Sequence, residues 1–106
     1  MPPRVEILYF DGCPHLADVA HHVRALLESE GVAAYVELRR VADDADARAA
    51  RFLGSPSVRI DGRDVEPGAE RRDDFGMKCR LYWTDEGFRS APPERLVVEA
   101  VRDASG

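Results

Sequence analysis

Residues 10–16 read Phe-Asp-Gly-Cys-Pro-His-Leu (FDGCPHL), and their reading decides the fold. They sit where an apolar run, VEILYF at 5–10, gives way to apolar residues recurring at three and four positions. The period switches from that of a strand to that of a helix within a few residues, so Cys13 is expected to open the helix with Pro14 behind it. A thiol in that place is either a reagent or a small residue capping the helix.

Working outward, residues 4–10 are β-prone on both faces, the pattern of a central strand covered by helices on each side. Beyond Pro14, the residues Leu16, Val19, Ala20, Val23, Leu26 and Leu27 form one stripe. Asp18, His21, His22 and Arg24 fall on the wet side, and Gly31 supplies the stop. Residues 33–38, AAYVEL, read as a strand, and 41–54, VADDADARAARFLG, as a second helix. Asp43, Asp44 and Asp46 suit the positive end of that helix and Arg48 and Arg51 the other, with Ala45, Ala49, Phe52 and Leu53 inward.

The next stretch, GSPSVRIDGRDVEPG at 54–68, alternates Ser57 and Arg59 with Val58 and Ile60 before an Asp61-Gly62 turn and a return through Val65, which predicts a hairpin. Residues 66–78 are polar and irregular, and long loops in compact domains are often functional. CRLYW at 79–83 reads as a further strand, TDEG as a turn, and PPERLVVEAVRDA as a closing helix begun by Pro92 or Pro93. The order is β-α-β-α-β-β, an extra strand and α, an α/β fold in a single domain spanning residues 1–106.

At 106 residues, 44% hydrophobic and 33% charged, the chain has the composition of a soluble globular domain, with no run long enough to span a bilayer. The start, MPPRVEILYF, has no secretory-signal pattern, which predicts a cytoplasmic protein without a membrane partner. A net charge of -5, with the Arg39-Arg40 and Arg71-Arg72 pairs flanked by acids, argues against a nucleic-acid partner. Two cysteines are too few for a disulfide framework and lack zinc-ligand spacing. His21 and His22 are adjacent, so they point about 100° apart on a helix and do not converge on a metal. No metal site and no cofactor are expected.

The element order, with CPHL (13–16) directly after the first strand and SPS (55–57) opening the third, resembles the thioredoxin superfamily over nearly the whole chain. The resemblance implies a central mixed sheet of four strands, or slightly more, with helices on both faces. It implies that Cys13 is the nucleophilic cysteine and that Pro56 is cis and faces it. Cys13-Pro14-His15 matches the start of the CPHC motif of DsbA-type oxidases, but Leu16 stands where the second cysteine belongs. The segments FDGCP, GSPS, DGRD, GMKCRLY and APPE are similar to small bacterial thioredoxin-like proteins, some of which carry names borrowed from organomercurial lyases. That similarity makes Cys79 part of the pattern.

At the start of a helix, unpaired backbone N–H groups and the positive macrodipole end favour thiolate, and a cationic His15 would act in the same direction. The resemblance further implies that Pro56 presents the backbone of Ser55 to an extended substrate, making a groove for thiols or disulfides. Cys79 shares strand parity with Leu81 and Trp83 and is either a half-buried core cysteine or, returned by the 66–78 loop, the resolving thiol.

The leading expectation is a thiol-disulfide oxidoreductase. Cys13 and Cys79 would be catalytic, with Cys13 the nucleophile and either Cys79 or an external thiol the resolver, Pro14, His15, Ser55 and Pro56 would bind or tune, and the partners would be protein or small-molecule thiols and disulfides. One alternative is a soft-metal or mercurial thiol-binding protein using Cys13 with Cys79. The other is a redox-inactive thioredoxin-like domain that binds a partner through the Pro56 groove and the Arg-rich loop.

Overall fold

Strand β1 (Val5–Tyr9) has neighbours on both edges in the computed structural model, which describes residues 2–105. It runs parallel to β2 (Val36–Arg40) and antiparallel to β3 (Ser57–Ile60), and β3 turns back into the short β4 (Arg63–Asp64). The sheet is therefore mixed and four-stranded, in the order β2-β1-β3-β4. The side-chain alternation of β1 feeds two cores. Val5 and Ile7 join Val58 and Ile60 beneath helices α1 (Leu16–Ser29) and α3 (Glu94–Ser105), against Val19, Val23, Val97 and Val101. Leu8 points the other way and packs with Val41, Ala47, Ala50 and Phe52 beside helix α2 (Asp44–Ala49). Burial of each of the Val, Leu, Ile and Phe side chains contributes about 1.5–3 kcal/mol.

The β3–β4 turn follows the sequence closely. Asp61 and Gly62 have φ of 51° and 80°, two consecutive left-handed residues as in the tight turn that matches strand twist. Asp61 also ties the hairpin to the start of β1. Its carboxylate accepts from the Arg4 N–H at 2.7 Å, and its own N–H donates to the Arg4 carbonyl at 2.7 Å.

Besides the start of α1, three element boundaries differ from the sequence expectation. Strand β2 is Val36–Arg40 rather than 33–38, because its parallel register with β1 begins at Val36 opposite Val5. Helix α2 is short. Asp43 caps it by accepting from the Asp46 N–H at 2.8 Å, and the helix stops where Arg51 takes a φ of 55°. Arg59 then closes its end by donating to the Ala50 and Arg51 carbonyls at 2.6 and 3.1 Å. With the helix set from Asp44, the inward residues are Ala47 and Ala50, together with Phe52 and Leu53, whereas Ala45 and Ala49 are exposed.

The third difference is at 79–83. The strand there, β5 (Tyr82–Thr84), starts later and pairs with β6 (Gly87–Arg89), which the sequence pattern does not announce. The face shared by Cys79, Leu81 and Trp83 points outward, so Cys79 is exposed rather than a half-buried core residue. The alternate residues, Arg80 and Tyr82, are the buried ones, each 1% exposed. The inversion has a physical cause. Arg80 forms a bidentate pair with Asp64 (2.8 and 2.9 Å), donates to Ser57 Oγ at 2.9 Å and lies 4.3 Å over the Tyr82 ring. Burial alone would lower the pKa of Arg80, but the hydrogen bonds to Asp64 and the nearby negative charges more than offset it, and the pKa is raised.

Burial raises the pKa of the Tyr82 phenol, whose hydroxyl donates to the Pro56 carbonyl at 3.2 Å and accepts from the Val58 N–H at 3.4 Å. An acid kept neutral in the folded state contributes stability that is full below its unfolded pKa, about 10, and is lost as pH rises beyond it. Alkaline unfolding is therefore expected to begin near pH 10 and to be blunted in Tyr82→Phe, at a cost of about 1 kcal/mol at neutral pH for the lost hydrogen bonds. Denaturation midpoints between pH 8 and 11 check both effects. Among the described residues, no helix is long and apolar enough to cross a membrane.

Candidate functional site

The C-terminal end of β1 leads directly into the Cys13 turn. Cys13 N–H donates to the Phe10 carbonyl at 3.3 Å, and Gly12, with φ of 82°, occupies the left-handed position of that turn, which favours glycine. A further turn through Pro14 and His15 delays the helix. Its first residue is Leu16 and its N-cap is His15, so Cys13 stands two residues ahead of the cap instead of being the cap. The His15 side chain makes no capping hydrogen bond, and the first helical bond runs from the Val19 N–H to the His15 carbonyl at 3.0 Å. Cys13 and His15 are half-buried and Pro14 is exposed. Arg40 holds the turn against β2 through Asp11 at 2.8 Å.

Ser55 joins this turn to the other cysteine. It is fully buried, and its Oγ accepts from the Phe10 N–H at 3.3 Å, at the root of the Cys13 turn. Its backbone N–H donates to the Lys78 carbonyl at 2.8 Å, and its carbonyl accepts from the Arg80 N–H at 2.9 Å. Those two bonds make a parallel bridge between Ser55 and Cys79. Pro56, buried beside it, follows a cis Ser55–Pro56 bond, the isomer the resemblance implies. Hydrogen bonds thus connect Cys13 to Phe10, Phe10 to Ser55, and Ser55 to the residues on either side of Cys79. Neither cysteine is in a disulfide.

This arrangement changes one expectation. The Ser55 backbone does not stand open for an extended substrate, because the chain's own residues 78–80 already engage both of its polar groups. Gly54 makes the approach possible. A Cβ there would lie 3.0 Å from the Arg80 Cα, the Arg80 nitrogen and the Lys78 carbonyl oxygen, and its φ is 125°. Gly54→Ala is expected to cost about 1–3 kcal/mol and to push residues 78–80 away from Ser55. Faster hydrogen exchange at the Ser55 and Arg80 amides, compared with wild type, would record that separation.

The 66–78 loop is pinned by charge. It holds one turn of 3-10 helix, Ala69–Arg71, and Arg72 bonds both Glu66 (2.9 Å) and Asp74 (2.6 Å). Lys78 reaches Asp74 at 2.9 Å. Hydrogen bonds from Arg72 and Lys78 hold the Asp74 carboxyl well below the usual carboxylate range. Beyond the loop, Leu53, Leu81, Trp83 and Phe88 border a shallow groove of about 420 Å³ next to Cys79. Sequence reasoning missed Phe10, Gly54 and Arg80 as residues that build this region. The glycine directly before Ser-Pro was the one available signal. Among the described residues, no three His, Cys, Asp or Glu side chains gather to hold a metal ion.

Compared with protein families, with curated proteins and with solved structures, the chain found no match.

Proposed function

We propose that this chain is a cytoplasmic thiol-disulfide redox protein of thioredoxin-like fold, acting on protein or small-molecule disulfides with Cys13 as nucleophile and Cys79 as resolving thiol. The observation that carries the reading is the backbone bridge between Ser55 and Cys79, beside the turn that presents Cys13. The order β2-β1-β3-β4, with β1 parallel to β2 and antiparallel to β3, supports the fold assignment. The first turn of α1 has no side-chain cap, and Cys13 lies two residues ahead of its N-cap.

The chemistry balances as two exchanges. The Cys13 thiolate attacks one sulfur of the substrate disulfide, a mixed disulfide forms, and the first substrate thiolate leaves. The Cys79 thiolate then attacks the Cys13 sulfur, closing Cys13–Cys79 and expelling the second substrate thiolate. The substrate gains two electrons and the protein loses them, and an external dithiol must reduce the protein for another cycle. Because Ser55 is engaged by residues 78–80, substrates approach Cys13 without adding a strand to Ser55.

The test is a single turnover with one equivalent of a small aromatic disulfide whose thiolate is coloured. Release of two thiolates per protein, with no adduct left in the mass spectrum, is the expected result. One thiolate and a lasting adduct would overturn the resolving role of Cys79. That outcome would leave resolution to an external thiol, whereas release of no thiolate at all would favour the redox-inactive, partner-binding reading, which the exposed Leu81, Trp83 and Phe88 support.

A further inference from the structure

Strand β2 is an outer edge of the sheet, with β1 as its strand neighbour on one side alone. The Val41 N–H donates to the Tyr9 carbonyl at 2.7 Å. Counting back from it with the strand period of two, the backbone groups of Arg39 and Glu37 face β1, and those of Val36, Leu38 and Arg40 face outward. Among the described residues, these outward groups have no partner in the chain. The edge carries no proline or lysine; its charged residues are Glu37, Arg39 and Arg40, of which Glu37 lies 3.3 Å from Arg4 and Arg40 2.8 Å from Asp11 on their own chain, so among the described residues it is Arg39 whose charge is left for a second copy. Leu38 is 46% exposed and Tyr35, just before the strand, is 91% exposed.

We propose that β2 is the interface of a homodimer, two copies pairing antiparallel about a two-fold axis through Leu38. The side chains favour this register over its neighbours. With Leu38 opposite Leu38 of the second copy, Glu37 comes opposite Arg39 and Arg39 opposite Glu37, two opposite-charge pairs on one face of the sheet. Val36 and Arg40 then pair across the axis through their outward backbone groups, and Tyr35 falls opposite Val41 at each end. Sliding by one hydrogen-bonding repeat centres the axis on Glu37 or on Arg39 and sets like charges face to face. An odd slip puts the two copies' side chains on opposite faces. The strand is thus self-complementary in the Leu38-centred register, and pairing joins two four-stranded sheets into one. This inference is independent of the redox reading.

Molar mass by light scattering or sedimentation, measured from micromolar to millimolar chain in the presence of reductant, tests it. Wild type is expected to reach twice the 11.8 kDa chain mass. Leu38→Pro removes an N–H that points outward, so it should keep the native circular dichroism and stay at 11.8 kDa. Glu37→Arg alone and Arg39→Glu alone should each weaken the dimer about tenfold or more, and mixing these two variants should restore it. The proposal is overturned by wild type that remains at the chain mass throughout. It is equally overturned by a dimer that survives Arg39→Glu and Leu38→Pro, or one lost only in Trp83→Ser/Phe88→Ser, which would place the contact on the β5–β6 hairpin.

Discussion

Arg80→Ala is expected to remove about 3–5 kcal/mol of stability, a large share of the roughly 5–15 kcal/mol available to a domain of this kind. The Arg80 side chain is fully buried and the Asp64 side chain is 10% exposed. Truncating the arginine leaves an almost buried carboxylate without its bidentate partner. It also removes the donor to Ser57 Oγ and the cation over the Tyr82 ring. The Ser57 hydroxyl still donates to the Gly54 carbonyl at 2.5 Å, so most of the loss falls on Asp64. Urea denaturation of Arg80→Ala measures the effect. In the double variant Arg80→Met/Asp64→Leu no charge is stranded at this pair, and part of the loss should be recovered. If the double variant were no more stable than Arg80→Ala, packing around the guanidinium rather than charge pairing would hold this region.

The second large effect is on chemistry. In Cys13→Ser the fast release of coloured thiolate is expected to disappear, since an alcohol does not replace a thiolate in disulfide exchange. What remains is slow modification of the exposed Cys79, with one thiolate released and the adduct retained. Cys79→Ser should keep the fast first release and lose the second, ending as a stable Cys13 adduct. The two variants differ in which step fails, so stopped-flow absorbance with mass spectrometry separates nucleophile from resolver. Equal slow rates in wild type and Cys13→Ser would show that Cys13 is a structural residue of the turn.

Much of the architecture is legible in local sequence. The doubly apolar β1, the stripe of α1 and the Asp61-Gly62 turn each carry their own signal within a few neighbouring residues. What is not legible depends on distant partners. Arg80 reads as a surface residue until Asp64 and Ser57, 16 and 23 positions away, are placed around it. Its burial reverses the strand parity, which is why Cys79, Leu81 and Trp83 emerge on the outside. The start of α1 departs from the local signal by a smaller margin. A proline is welcome at a helix start, but here Pro14 and His15 form a turn of their own, so the helix opens at Leu16 and not at Cys13. The loop return predicts Cys79 near Cys13 but not its bridge to Ser55, because the bridging bonds depend on the close approach that Gly54 permits.

The central claim is that Cys13 and Cys79 form one redox pair. A disulfide between them requires their Cα atoms within about 7 Å. Mild oxidation of dilute protein, followed by non-reducing peptide mapping, tests it directly. The predicted result is one linked peptide pair joining residue 13 to residue 79 in a protein of unchanged chain mass. Oxidation that yields only intermolecular adducts, with the two cysteines never joined within one chain, would contradict it.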